Sequence, residues 1–237
     1  MSSEEMSNQF DLMTNVFKTN YGFGQEDKIA FDEYEKSVFL TMAQEAFVIM
    51  CYDGRNNSGY QFEITEEDRR MLDSLVVTKE YPISEQLSQG SSCGTGGLTG
   101  ESVFYKLPRN LMYITYEQVS FSDSDKCING KYAAIYPVTQ DEFWKTYKNP
   151  FRGPNSRRVL RLDAGDNIVE LVSKNTIGKY TIRYVKRPNP IILEDLPDDL
   201  TIDGQSYQQD CTLDRQVHNK IVEIAVNMAL RTKSIGK

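Results

Sequence analysis

The order of apolar and polar positions divides the chain into a helical start, a β-rich middle and a helical end. Between residues 8 and 20, Phe10, Met13, Val16 and Phe17 recur at three- and four-residue spacing, which predicts a short amphipathic helix. Residues 32–52 carry a broader stripe, with Tyr34, Val38, Met42, Phe47, Ile49 and Met50 flanked by Phe39, Ala43 and Ala46. Asp32 stands where an N-cap is needed, Glu33 and Glu35 put negative charge in the first turn, and Asp53-Gly54 offers a left-handed exit. Thr65-Glu66-Glu67-Asp68 has the form of a capping box, predicting a short helix through about Leu72, then an extended 74–78 ended by Pro82.

From residue 111 the period shortens to that of strands: Tyr113-Ile114-Thr115-Tyr116, Tyr132 to Tyr136, Arg158 to Leu162, Ile168 to Val172, and a stretch from Tyr180 that stops at Pro188 and Pro190. Short turn-rich breaks between the last three predict an antiparallel meander. Thr139-Gln140-Asp141-Glu142 reads as a second capping box, starting a helix whose Phe143, Trp144 and Tyr147 would lie across the sheet. A closing helix is expected from Leu213 or Asp214 to about Thr232, its stripe Val217, Ile221, Ile224, Ala225, Met228 and Ala229, with Val222 at the margin. The expected fold class is therefore α+β. Residues 1–75 and 205–237 would form a helical base, and 76–204 a β-rich insertion with one short helix near 140–148.

At 237 residues, 39% hydrophobic and 26% charged, the chain has the make-up of a soluble globular protein, and no apolar run approaches the roughly 20 residues of a membrane span. Met1-Ser2-Ser3-Glu4-Glu5-Met6 is too polar for a secretory signal, which points to synthesis in a cytoplasm. Cys51, Cys93, Cys127 and Cys211 form no close pair and His218 is the only histidine, so no zinc site is expected, and His218 reads as structural. A net charge of −7 argues against a module that reads DNA sequence, although like charge suits a surface past which DNA slides.

The glycine-rich run between Gly90 and Gly100 lacks the Lys-Ser/Thr pair of a phosphate loop, since Gly100 is followed by Glu101, and Ser102 to Tyr105 looks extended rather than helical. The carboxylate pairs sit at caps and in a linker. Hence no catalytic residue, cofactor or metal is expected. A nucleotide-binding enzyme using that run and a binding module for a protein or nucleic-acid partner stand as the rival readings.

Basic residues collect at Arg152, Arg157, Arg158 and Arg161, and again at Lys179, Arg183, Lys186 and Arg187; Glu194, Asp195, Asp198 and Asp199 follow closely. The basic edge Arg183, Lys186 and Arg187 meeting that acidic run on a neighbouring copy is one reading; a solvated sheet face and a DNA contact are the others. The Asp32-Glu33-Tyr34-Glu35-Lys36-Ser37 helix start running into Phe39 to Glu45, the stretch Tyr180 to Leu193, and Ile221 to Leu230 together resemble the head–tail connector ring proteins of crAss-like tailed bacteriophages. That resemblance implies a non-enzymatic structural subunit of the virion at the head–tail interface. It implies self-association into a dodecameric ring below the portal protein, contact with further connector or tail proteins, and genomic DNA passing through the channel without sequence-specific binding. No membrane is implied.

Overall fold

Ser2 opens the first helix, α1 (Ser3–Phe17): its hydroxyl accepts from the Glu5 amide at 3.2 Å while the Glu5 carboxylate accepts from the Ser2 amide at 3.0 Å. This capping box starts the helix at Ser3 instead of Asn8, because the four free amides of a first turn are satisfied by polar side chains and not by the apolar period. The computed structural model describes residues 1–53, 66–87, 102–124, 127–197 and 199–235, of which 67 and 68 by backbone alone. The chain separates into two units, Met1–Leu75 with Arg187–Lys237, and Val76–Lys186. Residues 187–204, grouped by sequence with the β-rich part, thus run with the helices.

In the first unit α2 (Glu33–Tyr52) begins at the expected cap, Asp32 Oδ1 accepting from the Glu35 amide at 2.6 Å. After α3 (Glu66–Leu72) the unit is completed by α5 (His218–Ile235), which follows a 3-10 turn at Arg215–Val217 and packs on both α1 and α2. Two neighbours bury a wider arc of α5 than one stripe: Val222, Val226 and Leu230 are fully buried with Ile221, Ala225 and Ala229, whereas Ile224 and Met228 are half-buried. The face of α2 differs more. Met42 and Ile49, expected inside, are 51% and 36% exposed, and Ser37, Thr41 and Gln44 are buried beside Leu40, Phe47 and Val48.

Those polar positions face inward because they hold a segment that lies outside the sheet and makes an isolated bridge, Ile192 to Gln209. Ser37 Oγ accepts from the Leu193 amide at 3.0 Å, Thr41 Oγ1 accepts from the Ile191 amide at 3.0 Å and donates to its carbonyl at 3.3 Å, and Gln44 Nε2 donates to the Asn189 carbonyl at 2.7 Å. Four residues of helix rise about 6.0 Å and two of strand about 6.6 Å, so side chains one turn apart match alternate strand residues. Pro188, Pro190, Ile191, Ile192 and Leu193 are buried along this track.

The second unit is a seven-stranded sheet among the described residues: β1 (Val76–Pro82), β2 (Ser102–Lys106), β3 (Leu111–Phe121), β4 (Tyr132–Pro137), β5 (Arg158–Gly165), β6 (Ile168–Val172) and β7 (Ile177–Lys186). Its spatial order is β1-β7-β3-β4-β5-β6-β2, with β4 and β5 parallel and the other pairs antiparallel. The expected meander holds for β5 and β6 alone, joined through Asp166 and Asn167 at φ 49° and 58°, the left-handed pair that a tight hairpin uses. Instead of pairing with β6, β7 lies between β1 and β3, where its nearly continuous burial is accommodated.

The sheet curls until its edge strands meet. Tyr81 of β1 and Tyr105 of β2 have ring centroids 5.7 Å apart, both touch Tyr180 of β7, and the Leu87 amide bonds the Phe104 carbonyl at 2.9 Å. Val119, Ala133, Val159, Val169, Leu171 and Ile182 fill the interior. On the outside, α4 (Phe143–Tyr147) covers Leu160, Leu162 and Val172 with Phe143 and Tyr147, while Trp144 is half exposed. Glu142 occupies the N-cap without a side-chain hydrogen bond, so the second expected capping box does not form as such.

Candidate functional site

The curled sheet has one split. β3 and β4 are paired only from Gln118↔Ala134 to Ser120↔Tyr132, and β3 carries a bulge between Ile114 and Tyr116 while β4 ends in Pro137, which has no amide to donate. Between residues 111–117 of β3 and 134–137 of β4 lies a cleft of about 850 Å³ that reaches β5 at Arg161 and Asp163 and the β5–β6 turn at Asp166. Leu111, Ile114, Ile135 and Ile168 give it apolar walls.

At its floor a carboxylate and a guanidinium face each other inside the barrel. Glu117 and Arg161 are 7% and 13% exposed at the side chain, with Oε2 and Nη1 2.5 Å apart, and the Tyr180 hydroxyl donates to Glu117 Oε1. Burial raises the Glu117 carboxyl above its ordinary value, with Arg161 and the Tyr180 hydrogen bond pulling the other way. The Tyr180 phenol is pushed up by burial and then by the adjacent carboxylate, which keeps it protonated as the donor. Arg161 Nε lies 3.4 Å from Asp163 Oδ1, misaligned for a hydrogen bond. Arg161 therefore belongs to the interior and not to a solvated basic face.

The geometry suits shape and charge recognition. Among the described residues no three His, Cys, Asp or Glu side chains group to hold a metal, and no helix is long and apolar enough to cross a membrane. Cys211 Sγ donates to Gln44 Oε1 at 3.1 Å, and burial raises its thiol to about 11. His218 is buried, its ring nitrogens 3.0 Å from the Leu213 carbonyl and from the Met1 amine, and burial lowers its pKa. The glycine-rich run 90–100 lies outside the described residues.

A family model described as phage tail ring protein 3/4 matches residues 1–237. The chain belongs to that family. Ring protein 3 of Bacteroides phage crAss001 is 43% identical over 236 residues, 99% of this chain and 97% of that protein. Ring protein 4/5 of the same phage is 29% identical over 237 residues, 97% of this chain and 92% of its own length. Similarity thus runs through both units, and the chain is a ring protein of the crAss-like phage type, a structural component of the phage. In a ring protein the sites of interest are surfaces.

The charged candidates are distributed as follows. Arg183 and Lys186 are half-buried on β7. Arg187 is committed within its own unit, Nε to Glu45 and Nη2 3.8 Å from Asp203, and the Glu45 hydrogen bond raises its pKa. Glu194 and Asp199 are exposed, Asp195 Oδ1 accepts from the Gln208 amide at 2.7 Å, and Asp198 lies outside the described residues. Sequence reasoning passed over the roles of Ser37, Thr41, Gln44 and Glu117, because the apolar stripe of α2 points to its other face and Glu117 meets its partners only through the folded sheet. It also passed over Phe151, a phenylalanine set among Lys148, Pro150 and Arg152.

Proposed function

We propose that this ring protein forms a dodecameric ring below the portal of a tailed phage, joining capsid to tail around the channel through which genomic DNA passes, and that it performs no catalysis. The observation that carries this reading is the family match over residues 1–237, with both crAss001 relatives bearing the name ring protein. A net charge of −7 is in keeping with a wall that DNA slides past without sticking. Arg183 and Lys186 of one copy are placed against Glu194, Asp195, Asp198 and Asp199 of the next, with Arg187 serving this edge through its own ion pairs.

Sedimentation velocity of the full chain, alone and with the portal protein, is the test. A closed oligomer that binds portal is expected, and reversal of charge at Arg183 and Lys186 should weaken it most at low salt, because exposed charge pairs are screened by ions. A monomer at every concentration, with no portal binding, would overturn the reading.

A further inference from the structure

Phe151 is 86% exposed, the most exposed large apolar side chain among the described residues. It is not a loose side chain on a free loop. Asn149 Oδ1 accepts from the Phe151 and Arg152 amides at 2.9 and 3.2 Å, the Gly153 amide donates to the Asn149 carbonyl at 2.7 Å, and Arg158 Nη1 donates to the Phe151 carbonyl at 3.1 Å. A Cβ on Gly153 would meet the Tyr147 and Asn149 carbonyl oxygens at 2.7 and 2.8 Å, so the turn is close-packed around a residue without a side chain. Lys148, Arg152 and Arg157, near Phe151 in the sequence, are exposed, with Lys148 Nζ 5.9 Å from the centre of the Trp144 ring.

The cleft between β3 and β4 is the complement of this knob. Its walls are apolar, its volume of about 850 Å³ lies within the range of binding pockets, and its rim carries the exposed carboxylates of Asp163 and Asp166. Arg161, the one cation among its lining residues, is already matched by Glu117. Both features belong to the same unit. The knob is tied to the start of β5 through Arg158, whose guanidinium also lies 4.3 Å from the centre of the Tyr136 ring, and Phe151 is not among the residues that line the cleft. A projecting apolar residue on one site and a fitting pocket at another make a head-to-tail contact, the type that closes into rings.

We propose that Phe151 of one copy seats in the β3–β4 cleft of the next copy, with Lys148 and Arg152 against Asp163 and Asp166. An aromatic anchor in an apolar pocket, ringed by opposite charges, is the composition of an interface hot spot, and the pre-ordered turn loses little freedom on docking. The proposal rests on the ring reading and names the contact that reading lacks.

The test joins assembly to mapping. Phe151→Ser should fold with an unchanged melting temperature and weaken subunit association by about 30-fold or more, the loss expected of a hot-spot aromatic. A photo-reactive phenylalanine analogue at position 151, in a mixture of light and heavy-isotope copies, should cross-link between copies to peptides holding residues 111–117 or 134–137. Lys148→Glu with Arg152→Glu should weaken assembly, and Asp163→Lys with Asp166→Lys in the same chain should restore it. A ring whose cross-links map elsewhere, or one indifferent to Phe151→Ser, overturns this contact and leaves the ring reading standing. A wild-type chain that stays monomeric with portal present overturns the ring reading and this contact with it.

Discussion

Removing one partner of the Glu117–Arg161 pair leaves the other as an uncompensated charge inside the barrel. Glu117→Leu or Arg161→Met alone is expected to destabilise the β unit by about 3–5 kcal/mol, whereas the two together with Tyr180→Phe, which removes the hydroxyl that otherwise loses its acceptor, should be neutral or stabilising by about 1–4 kcal/mol, because the desolvation of both charges is then relieved. The single tryptophan, Trp144, lies in this unit, so its fluorescence during denaturant unfolding reads both results. His218 supplies a pH dependence. Burial lowers its folded pKa, so below the ordinary imidazole value of about 6.5 the unfolded chain takes up a proton that the folded chain resists. Stability should therefore be full above that value and fall as pH drops through it, and His218→Gln should flatten the slope in melts taken from about pH 7.5 down to about pH 5.5, one unit either side of that value. Neither pair nor histidine environment was legible in sequence, since Glu117 and Arg161 lie on β3 and β5 and meet only through the folded sheet.

At the scale of elements, the clamp of α2 on residues 189–193 makes the sharpest prediction. Ser37→Ala removes the acceptor of the Leu193 amide and Thr41→Val removes both partners of Ile191, so each should cost about 1–3 kcal/mol in the helical unit, followed by far-ultraviolet circular dichroism. Thr41→Ser keeps the hydroxyl and should recover most of that loss. Capping chemistry is local, which is why Asp32 and the span of α2 could be read directly. Which face of α2 turns inward could not, because the stripe of Val38, Met42 and Ile49 competes with Ser37, Thr41 and Gln44, and a distant extended segment decides between them. The same holds for the sheet. Strand positions followed from β-branched and aromatic runs, but the choice of β3 over β6 as the neighbour of β7 is non-local.

For the whole molecule, α+β class and family were both legible, class from the switch of period and family from long stretches of packing residues. The route of the chain between its units was legible in part: the strand from Tyr180 was expected to stop at the prolines and β7 ends at Lys186, but that residues 187–204 run with the helices depends on non-local contacts with α2. Entry and exit of the β unit share a rung: Val76 pairs with Val185, which sets their Cα atoms about 5 Å apart. A gap that short can be bridged by a few glycine and serine residues at little entropic cost. Excising 76–186 in this way should leave a helical chain that still melts cooperatively, and loss of that cooperativity would show the helices to depend on the insertion. If they do not, β1 and β7 act as a socket, and natural ring proteins could lengthen, shorten or exchange everything beyond that rung while keeping the helices unchanged.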